Sequence, residues 1–290
     1  MKVYVWLVRR EFWENRAIWV VPVAIGVALT LASLFGKVQG VPIPSPEQSH
    51  AVGGMILFGF GVTFFVVMNI YCAWYLLDCL YSDRRDRSIL FWKSMPLTDS
   101  AMVLAKLFTG VIAIPLTYFI ASDVSTLLIA FVVSVRAHDA LGFALWQPTL
   151  WFQLQVFWLY LIVTMAIWYL PVTGWLLVVS AWAKRAVMLW SVLPLVAAYL
   201  LERWFLGTHF VGTALNDRMF GYLTAFKHSS DPSGWVSTVI DRSTVTTPRS
   251  VWQIIDPAGF LLEPQTWIGV VAGAALVALA IQLRLRRTEA

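Results

Sequence analysis

Charged residues are scarce in this chain. Only 13% of its 290 residues are Asp, Glu, Lys or Arg, whereas a soluble domain usually contains about 25%. Cysteine is rare too: Cys72 and Cys79 stand seven positions apart on one predicted helix, about 10 Å along its axis, and therefore cannot form a disulfide with each other. These shortages argue against an ordinary soluble domain and against a disulfide framework, and the two cysteines indicate neither redox chemistry nor a metal site.

The sequence contains long runs without any charged residue, and 59% of its residues are hydrophobic. A helix of roughly 20 apolar residues crosses the hydrocarbon core of a bilayer. Backbone groups in lipid must be satisfied within the segment, and the alternation typical of barrel strands is absent, so helices are the expected structure. The sequence predicts an all-α integral membrane protein, a single domain over residues 1–290 with six transmembrane helices. The uncharged runs are residues 17–36, 51–77, 107–122, 140–183, 186–201 and 264–283.

The run 140–183 is long enough for two spans. Three glutamines and a proline interrupt its first half. We therefore expect a segment that lies on the membrane surface, followed by a single span over about residues 158–182. Two spans would also place Lys184 and Arg185 outside, against the positive-inside rule.

The positive charges predict the orientation. The net charge of +5 is distributed over the ends of the apolar runs, so it does not indicate a nucleic acid partner. Cations precede the first run, which is far longer than a signal-peptide core, and we expect it to be retained as the first span. Six spans with both termini in the cytoplasm satisfy the positive-inside rule. The cations then inside are Lys2, Arg9, Arg10, Arg16, Arg84, Arg85, Arg87, Lys93, Lys106, Lys184, Arg185, Arg284, Arg286 and Arg287.

Two segments are predicted to lie outside the bilayer core. Residues 1–16 resemble an amphipathic helix on the inner membrane surface, with a frayed basic tail as the alternative. Residues 207–263 are rich in Gly, Pro, Ser and Thr and carry several aromatic side chains. We expect this segment to form a small, partly ordered outer cap between spans five and six.

The segment 81–99, between the second and third spans, is the most informative in the sequence. Asp83 and Arg87 are four residues apart with the acid first, the favourable order for an ion pair on a helix. Residues 89–92 supply apolar contacts that a cytoplasmic loop does not need for solubility, and Pro96 ends the helix. Thr98 or Ser100 is suited to cap the start of the next span.

This pattern predicts a coupling helix over about residues 85–95. A short amphipathic helix with an aromatic side chain, held between two spans, is suited to dock into a groove of a soluble partner and to transmit its motion. The alternative is an ordered loop that packs against the protein's own helix ends.

The same segment resembles the cytoplasmic signature of bacterial ATP-binding-cassette permeases of the ABC-2 type. That signature is an Asp-Arg-Arg-Asp-Arg run, followed by Ser-Ile-Leu-Phe-Trp-Lys-Ser and a proline. The N-terminal surface helix and a last span introduced by residues 263–267 are similar too. The resemblance implies that the residues coupled to an ATPase are Asp83, Arg84, Arg85, Asp86, Arg87, Ile89, Leu90, Phe91, Trp92, Lys93 and Pro96.

The resemblance further implies a permease subunit of an exporter in the bacterial inner membrane. Such a subunit pairs with a second copy or a related permease and with two cytoplasmic ABC ATPase subunits, and it moves an amphipathic, lipid-like or peptide substrate. The chain itself contains no Gly-rich phosphate-binding loop followed by Lys and Ser or Thr. We therefore expect ATP and Mg to bind to the partner ATPase, and this chain to be a transport subunit with no catalytic residue, metal site or cofactor of its own.

Asp123 is a candidate residue of the substrate path. It is the one formal charge in its apolar stretch, and an aspartate at mid-membrane costs roughly 2.5 to 3.5 kcal/mol on insertion scales. A helix that starts near Met102 puts Asp123 about 30 Å along its axis, close to the outer interface. An interfacial or paired acid, with Arg203 as its partner, is the alternative.

Trp168 and Trp175 are the other candidates for the substrate path. With Trp182 they recur every seven residues and so share one face of a continuous helix. Aromatic side chains that pack helices together or face lipid are the alternative. On the last span, Gly269 and Gly273 form a small-residue face that permits close helix contact.

An intramembrane enzyme is the main competing class. The sequence contains no His pair with Glu at zinc spacing, no Gly-x-Ser-x-Gly elbow and no cluster of acids. His138 and Asp139 are adjacent, but on a predicted outer loop and without a third partner, which is a weak catalytic signal. A membrane sensor or scaffold that does not transport is the third class.

Overall fold

The computed structural model describes residues 2–36, 46–85, 98–137, 142–143, 145–227 and 251–286. Within these ranges the chain is helical apart from short connections and one isolated antiparallel bridge between Phe226 and Ile255. The helices are α1 Lys2–Glu14, α2 Ala17–Phe35, α3 Pro46–Arg85, α4 Asp99–Phe108, α5 Ile114–Ala137, α6 Pro148–Trp168, α7 Leu170–Trp182, α8 Val187–Leu201, α9 Phe210–Phe220, α10 Val251–Ile254, α11 Pro257–Leu262 and α12 Pro264–Arg286.

Within the described residues, six helices are long and apolar enough to cross a membrane, as the sequence predicts. A π-helical segment, Thr109–Ala113, joins α4 to α5, and a second, Glu202–Leu206, extends α8. The six spans are Ala17–Phe35, Gly53–Arg85, Asp99–Arg136, Pro148–Trp168, Val187–Leu206 and Pro264–Arg286.

The helix that contains the third span begins at Asp99, one turn earlier than expected. Its N-cap is Thr98, whose side chain accepts a hydrogen bond from the Ala101 backbone N–H. The predicted cap is therefore confirmed.

The fourth uncharged run differs from the prediction. Residues 148–157 belong to the continuous helix α6 and do not form a separate surface segment, and the chain breaks at Tyr169 instead, where Pro171 follows at the start of α7. A proline in a helix interior removes a backbone hydrogen bond, which explains the interruption.

The break at Tyr169 does not reverse the chain. A Cβ at Gly54 would meet Leu150, a Cβ at Gly61 would meet Trp158, and the Leu80 backbone N–H donates to Ser180 Oγ. Contacts along α3 therefore follow the same order along α6 and α7, so both run parallel to α3. The run makes one crossing in two pieces.

The remaining helices alternate in direction. Arg136 donates to the carbonyls of Ser33 and Gly36, so α5 runs parallel to α2. The Tyr71 and Tyr118 rings are 6.0 Å apart. Twelve residues later on α3, Asp83 pairs with Lys106, which lies twelve residues before Tyr118, on α4. Helix α3 is therefore antiparallel to α4 and α5.

Small residues bring α7 and α12 together. A Cβ at Gly273 would lie 2.7 Å from the Leu170 carbonyl carbon, and one at Gly174 would lie 2.8 Å from the Leu276 Cβ. The predicted close contact of the last span through Gly273 is therefore confirmed, with α7 as the neighbour.

Candidate functional site: a buried charge cluster

Five charged side chains meet at one end of the bundle. They come from four helices that are distant in sequence, and we call them the charged cluster. Four are almost fully buried, at 4 to 6% side-chain exposure, and the fifth, Asp99, is 15% exposed. The members are Glu11 on α1, Asp83 on α3, Asp99 and Lys106 on α4, and Arg284 on α12.

Lys106 joins α1 to α3. Its Nζ lies 3.1 Å from Glu11 Oε1 and 3.3 Å from Asp83 Oδ1. The Tyr75 hydroxyl donates to the other oxygen of Glu11, Oε2, at 2.8 Å. Both oxygens of the Glu11 carboxylate are thus bonded, as a buried carboxylate requires.

Arg284 joins α12 to two carboxylates. Its Nη1 lies 3.2 Å from Asp83 Oδ2, and its Nε donates to Asp99 Oδ1 at 3.0 Å. The Met102 sulfur is 3.5 Å from Nη2. The planar guanidinium presents donors in several directions, which lets one side chain hold both acids.

The segment 86–97 is bounded by these two acids. Asp83 precedes it by three positions, Asp99 follows it by two, and Arg284 bonds both. A single guanidinium therefore joins the two acids that flank the segment and fixes them to the last helix.

The end of α3 is also fixed to the end of α7. The Arg84 guanidinium donates to the carbonyls of Ser180 and Ala183, and Ser180 Oγ accepts from the backbone N–H groups of Leu80 and Tyr81. Unpaired carbonyls at a helix C-terminus carry partial negative charge, so a cation is favourable there.

Because the charged cluster is buried, the substitution of one of its members should destabilise the protein. Desolvating several charges costs energy that only good pairing offsets, and removing one partner leaves an uncompensated charge. The cluster therefore fixes the ends of α1, α3, α4 and α12 to one another. The hydrogen bonds of Arg84 attach the end of α7 to them.

Sequence reasoning found part of this site. Of the predicted ATPase-coupling residues, Asp83 and Arg84 take part in it, and Arg85 lies with its guanidinium 5.9 Å from the Tyr81 ring centroid. The sequence did not predict four members of the cluster: Glu11, Asp99, Lys106 and Arg284. In the sequence, Lys106 and Arg284 indicate only on which side of the membrane their helix ends lie. The predicted residues outside the described ranges are Asp86, Arg87, Ile89, Leu90, Phe91, Trp92, Lys93 and Pro96.

Asp123 lies within the third span. It is two residues, about 3 Å along α5, from Ser125, which meets Gly26 and Phe64 in the structure. The helix continues past Asp123 to Ala137, and the position of Asp123 relative to the outer interface stays a prediction.

The partner of Asp123 differs from the one expected. Gln155 Nε2 donates to Asp123 Oδ1 at 2.7 Å, whereas Arg203 lies 3.4 Å from His209 Nδ1.

The candidate tryptophans do not share one face, because the break at Tyr169 lies between them. Trp168 is 1% exposed, and its Nε1–H donates to the Arg218 carbonyl. Trp175 donates to the Ser191 carbonyl on α8. Both positions favour the packing alternative over a role in a substrate path.

The segment 210–227 is attached to α6. Aromatic donors Tyr160, Trp168 and Tyr169 bond the carbonyls of Ala225, Arg218 and Met219 respectively. In return, the Arg218 guanidinium lies 4.6 Å from the Trp168 ring centroid and donates to the Trp168 carbonyl.

Two titratable groups in this attached segment are affected by burial. Burial lowers the pKa of Arg218 and raises the pKa of Tyr222. Arginine keeps its charge over the physiological range, so the contact of Arg218 with the Trp168 carbonyl and ring remains cationic.

No protein-family model, curated protein or solved structure matches this chain. The fold defines its class: the described part of the chain is all-helical apart from one isolated bridge and has six helices of spanning length, as in a multi-pass membrane protein.

Proposed function

We propose that this chain is the permease subunit of an ATP-binding-cassette exporter, and that its ATPase is a separate polypeptide. The observation that supports this function best is the attachment of the segment 86–97. Both of its flanks contact Arg284, and the flanking acids belong to a cluster that joins α1, α3, α4 and α12. A partner that binds this segment would act on all four helix ends.

These contacts support the following route for the coupling. Binding of ATP closes the two ATPase subunits and displaces the coupling helix. Asp83 and Asp99 carry the displacement to Arg284 and Lys106, and Arg84 carries it to the end of α7. Because buried charges cannot separate without a large desolvation cost, the helix ends move together.

The rest of the assembly follows from this function. Two ATPase subunits bind ATP and Mg on the cytoplasmic side, where both termini lie, and a second permease copy or a related permease completes the pathway in the inner membrane. Residues 207–263 cap the outer side. No residue of this chain makes or breaks a covalent bond.

Helix α1 supports an inner-surface position for the N-terminus. Its Leu7 and Glu11 are buried against the bundle, whereas Trp6 and Trp13 are 65% and 70% exposed. The Arg9 guanidinium lies 5.2 Å and 5.7 Å from the centroids of these two rings. Exposed tryptophans beside a cation suit the headgroup region of a bilayer.

The test is ATP hydrolysis by the complex purified from native membranes. A tagged chain is isolated in mild detergent, and vanadate-sensitive ATPase activity is measured for the wild type and for Trp92→Ala. Because this chain has no nucleotide-binding loop, hydrolysis requires a bound ATPase. Truncating an interface tryptophan is expected to lower the recovered activity about tenfold or more.

Trp204→Ala is the matched control, since Trp204 is 79% exposed near the far end of α8. It should retain full activity. Wild-type preparations without ATPase, or equal activity of Trp92→Ala and wild type, would refute the function. The complex could also hydrolyse ATP at a rate that does not change when an amphipath is added to the reconstituted membranes. That result would favour the non-transporting scaffold instead.

The side of the segment is tested separately. In a chain with Cys72→Ala and Cys79→Ala, the substitution Ser88→Cys introduces a single thiol. An impermeant maleimide should label it only after the cells are permeabilised. Labelling of intact cells would contradict the proposal.

A further inference from the structure

A carboxylate and an amide form a polar pair between two helices of spanning length. Asp123 on α5 and Gln155 on α6 are both half-buried and joined by a 2.7 Å hydrogen bond. Ionisable side chains within membrane-spanning helices are costly and are usually functional. A counter-charge would stabilise the carboxylate there.

The pair has more acceptors than donors. Within the described residues, Gln155 supplies the one hydrogen bond that reaches the Asp123 carboxylate, and Gln155 Oε1 is buried with no hydrogen-bond partner. The Gln155 amide donates through Nε2, so its oxygen remains an acceptor. A ligand that completes this pair must therefore supply N–H or O–H donors, and a positively charged donor would in addition offset the charge of the Asp123 carboxylate.

Aromatic residues stand near the pair along both helices. One turn before Asp123, Phe119 packs against the apolar cluster that contains Phe157 and Trp158, which lie beside Gln155. The buried Tyr118 hydroxyl, also without a partner among the described residues, lines a small cavity with Ser122 and Trp158. Aromatic faces attract an ammonium group.

We propose that Asp123 and Gln155 bind the ammonium group of a cationic amphipath. The carboxylate supplies the charge, Asp123 and Gln155 Oε1 accept two N–H donors, and the hydrocarbon part lies among the aromatic side chains. The half-buried position lets such a ligand approach from within the bilayer. As a substrate site it rests on the proposed exporter function, whereas as a binding site it does not.

Dansylcadaverine, a fluorescent primary ammonium, is the probe. The purified full-length chain is placed in nanodiscs of zwitterionic phosphatidylcholine, without any ATPase, and the dansyl emission is titrated. The analogue with a terminal hydroxyl lacks the charge, and the trimethylammonium analogue lacks the N–H donors. The wild type should bind the primary ammonium about tenfold or more tightly than either analogue, since charge-assisted hydrogen bonds are the strong ones.

Two variants test the residues. Asp123→Asn keeps the shape and removes the charge, and Gln155→Leu removes the amide; each should weaken ammonium binding about tenfold. Asp123→Asn keeps an acceptor oxygen and should leave binding of the hydroxyl analogue unchanged. Asp217→Asn, at an exposed position on α9, is the matched control and should bind as the wild type does. Monodisperse elution of every variant confirms that it is folded.

Equal binding of the ammonium and hydroxyl probes by the wild type would overturn the site. So would unchanged ammonium binding by Asp123→Asn. Because no ATPase is present, these outcomes do not depend on the exporter function, and loss of ATPase recovery with intact ammonium binding would refute that function alone.

Discussion

Arg284 Nη1 donates to the Asp83 carboxylate at 3.2 Å, although the two residues stand 201 positions apart in the chain. This contact connects the end of the second span to the last turn of the sixth. Arg284 also pairs with Asp99, so it contacts an acid on each side of the segment 86–97.

Replacement of Arg284 by alanine should destabilise the protein strongly. The change leaves Asp83 and Asp99 without this cation, and breaking one side of a buried ion pair costs about 3 to 5 kcal/mol. The thermal midpoint of the purified protein in detergent should fall. Arg286→Ala, two residues further along and exposed, is the control and should leave the midpoint unchanged. Equal midpoints for the two variants would contradict the role of the cluster.

Lys106 and Glu11 should show coupling in a double-mutant cycle. Lys106→Met leaves two buried carboxylates facing each other and should cost about 3 kcal/mol or more. Glu11→Gln removes one of these charges, so the double variant should be more stable than the sum of the single changes predicts, by about 0.5 to 3 kcal/mol. Unfolding is followed by fluorescence in detergent. Strict additivity would mean that the two side chains do not interact.

Gly273 should tolerate no side chain. A Cβ there would lie 2.7 Å from the Leu170 carbonyl carbon, which belongs to the backbone and cannot move away by a change of rotamer. Gly273→Ala should therefore separate α7 from α12 and cost about 1 to 3 kcal/mol. A Cβ at Gly59, on α3, meets nothing within 4 Å, so Gly59→Ala is the matched control. The same thermal midpoint for both variants would refute this packing.

Trp168→Phe should loosen the segment 210–227. The substitution keeps an aromatic ring and removes the Nε1–H bond to the Arg218 carbonyl, leaving a buried acceptor that costs about 1 to 3 kcal/mol. Trypsin should then cleave after Arg218 or Lys227 faster than in the wild type, as read by mass spectrometry. Trp252→Phe, at a 58% exposed position, should cleave at the wild-type rate. Equal rates for the two variants would exclude this attachment.

The number of spans was predictable because it depends on local composition. Each crossing helix needs about 20 residues that avoid charge, and such runs are visible one at a time. The interruption at Tyr169 was less visible. The glutamines at 147, 153 and 155 suggested a boundary in the first half of the run, but Gln155 bonds Asp123 inside the bundle instead.

The charged cluster could be predicted only in part. Asp83 lies in a dense local motif that points to a site, whereas Lys106 and Arg284 only border apolar runs. Their pairing depends on how α3, α4 and α12 are aligned, which one sequence does not encode locally. The partner of Asp123 was wrong for the same reason, since Gln155 comes from a different helix, α6.

The interruption at Tyr169 divides the fourth crossing between two sets of neighbours. Below it, α7 is bonded to the end of α3 and packed on α12; above it, α6 holds the segment 210–227. The residues at the break are themselves held from two sides: Gly273 of α12 packs on Leu170, and Arg218 donates to the Trp168 carbonyl. Although Pro171 interrupts the helix, the neighbouring elements therefore fix the junction between α6 and α7.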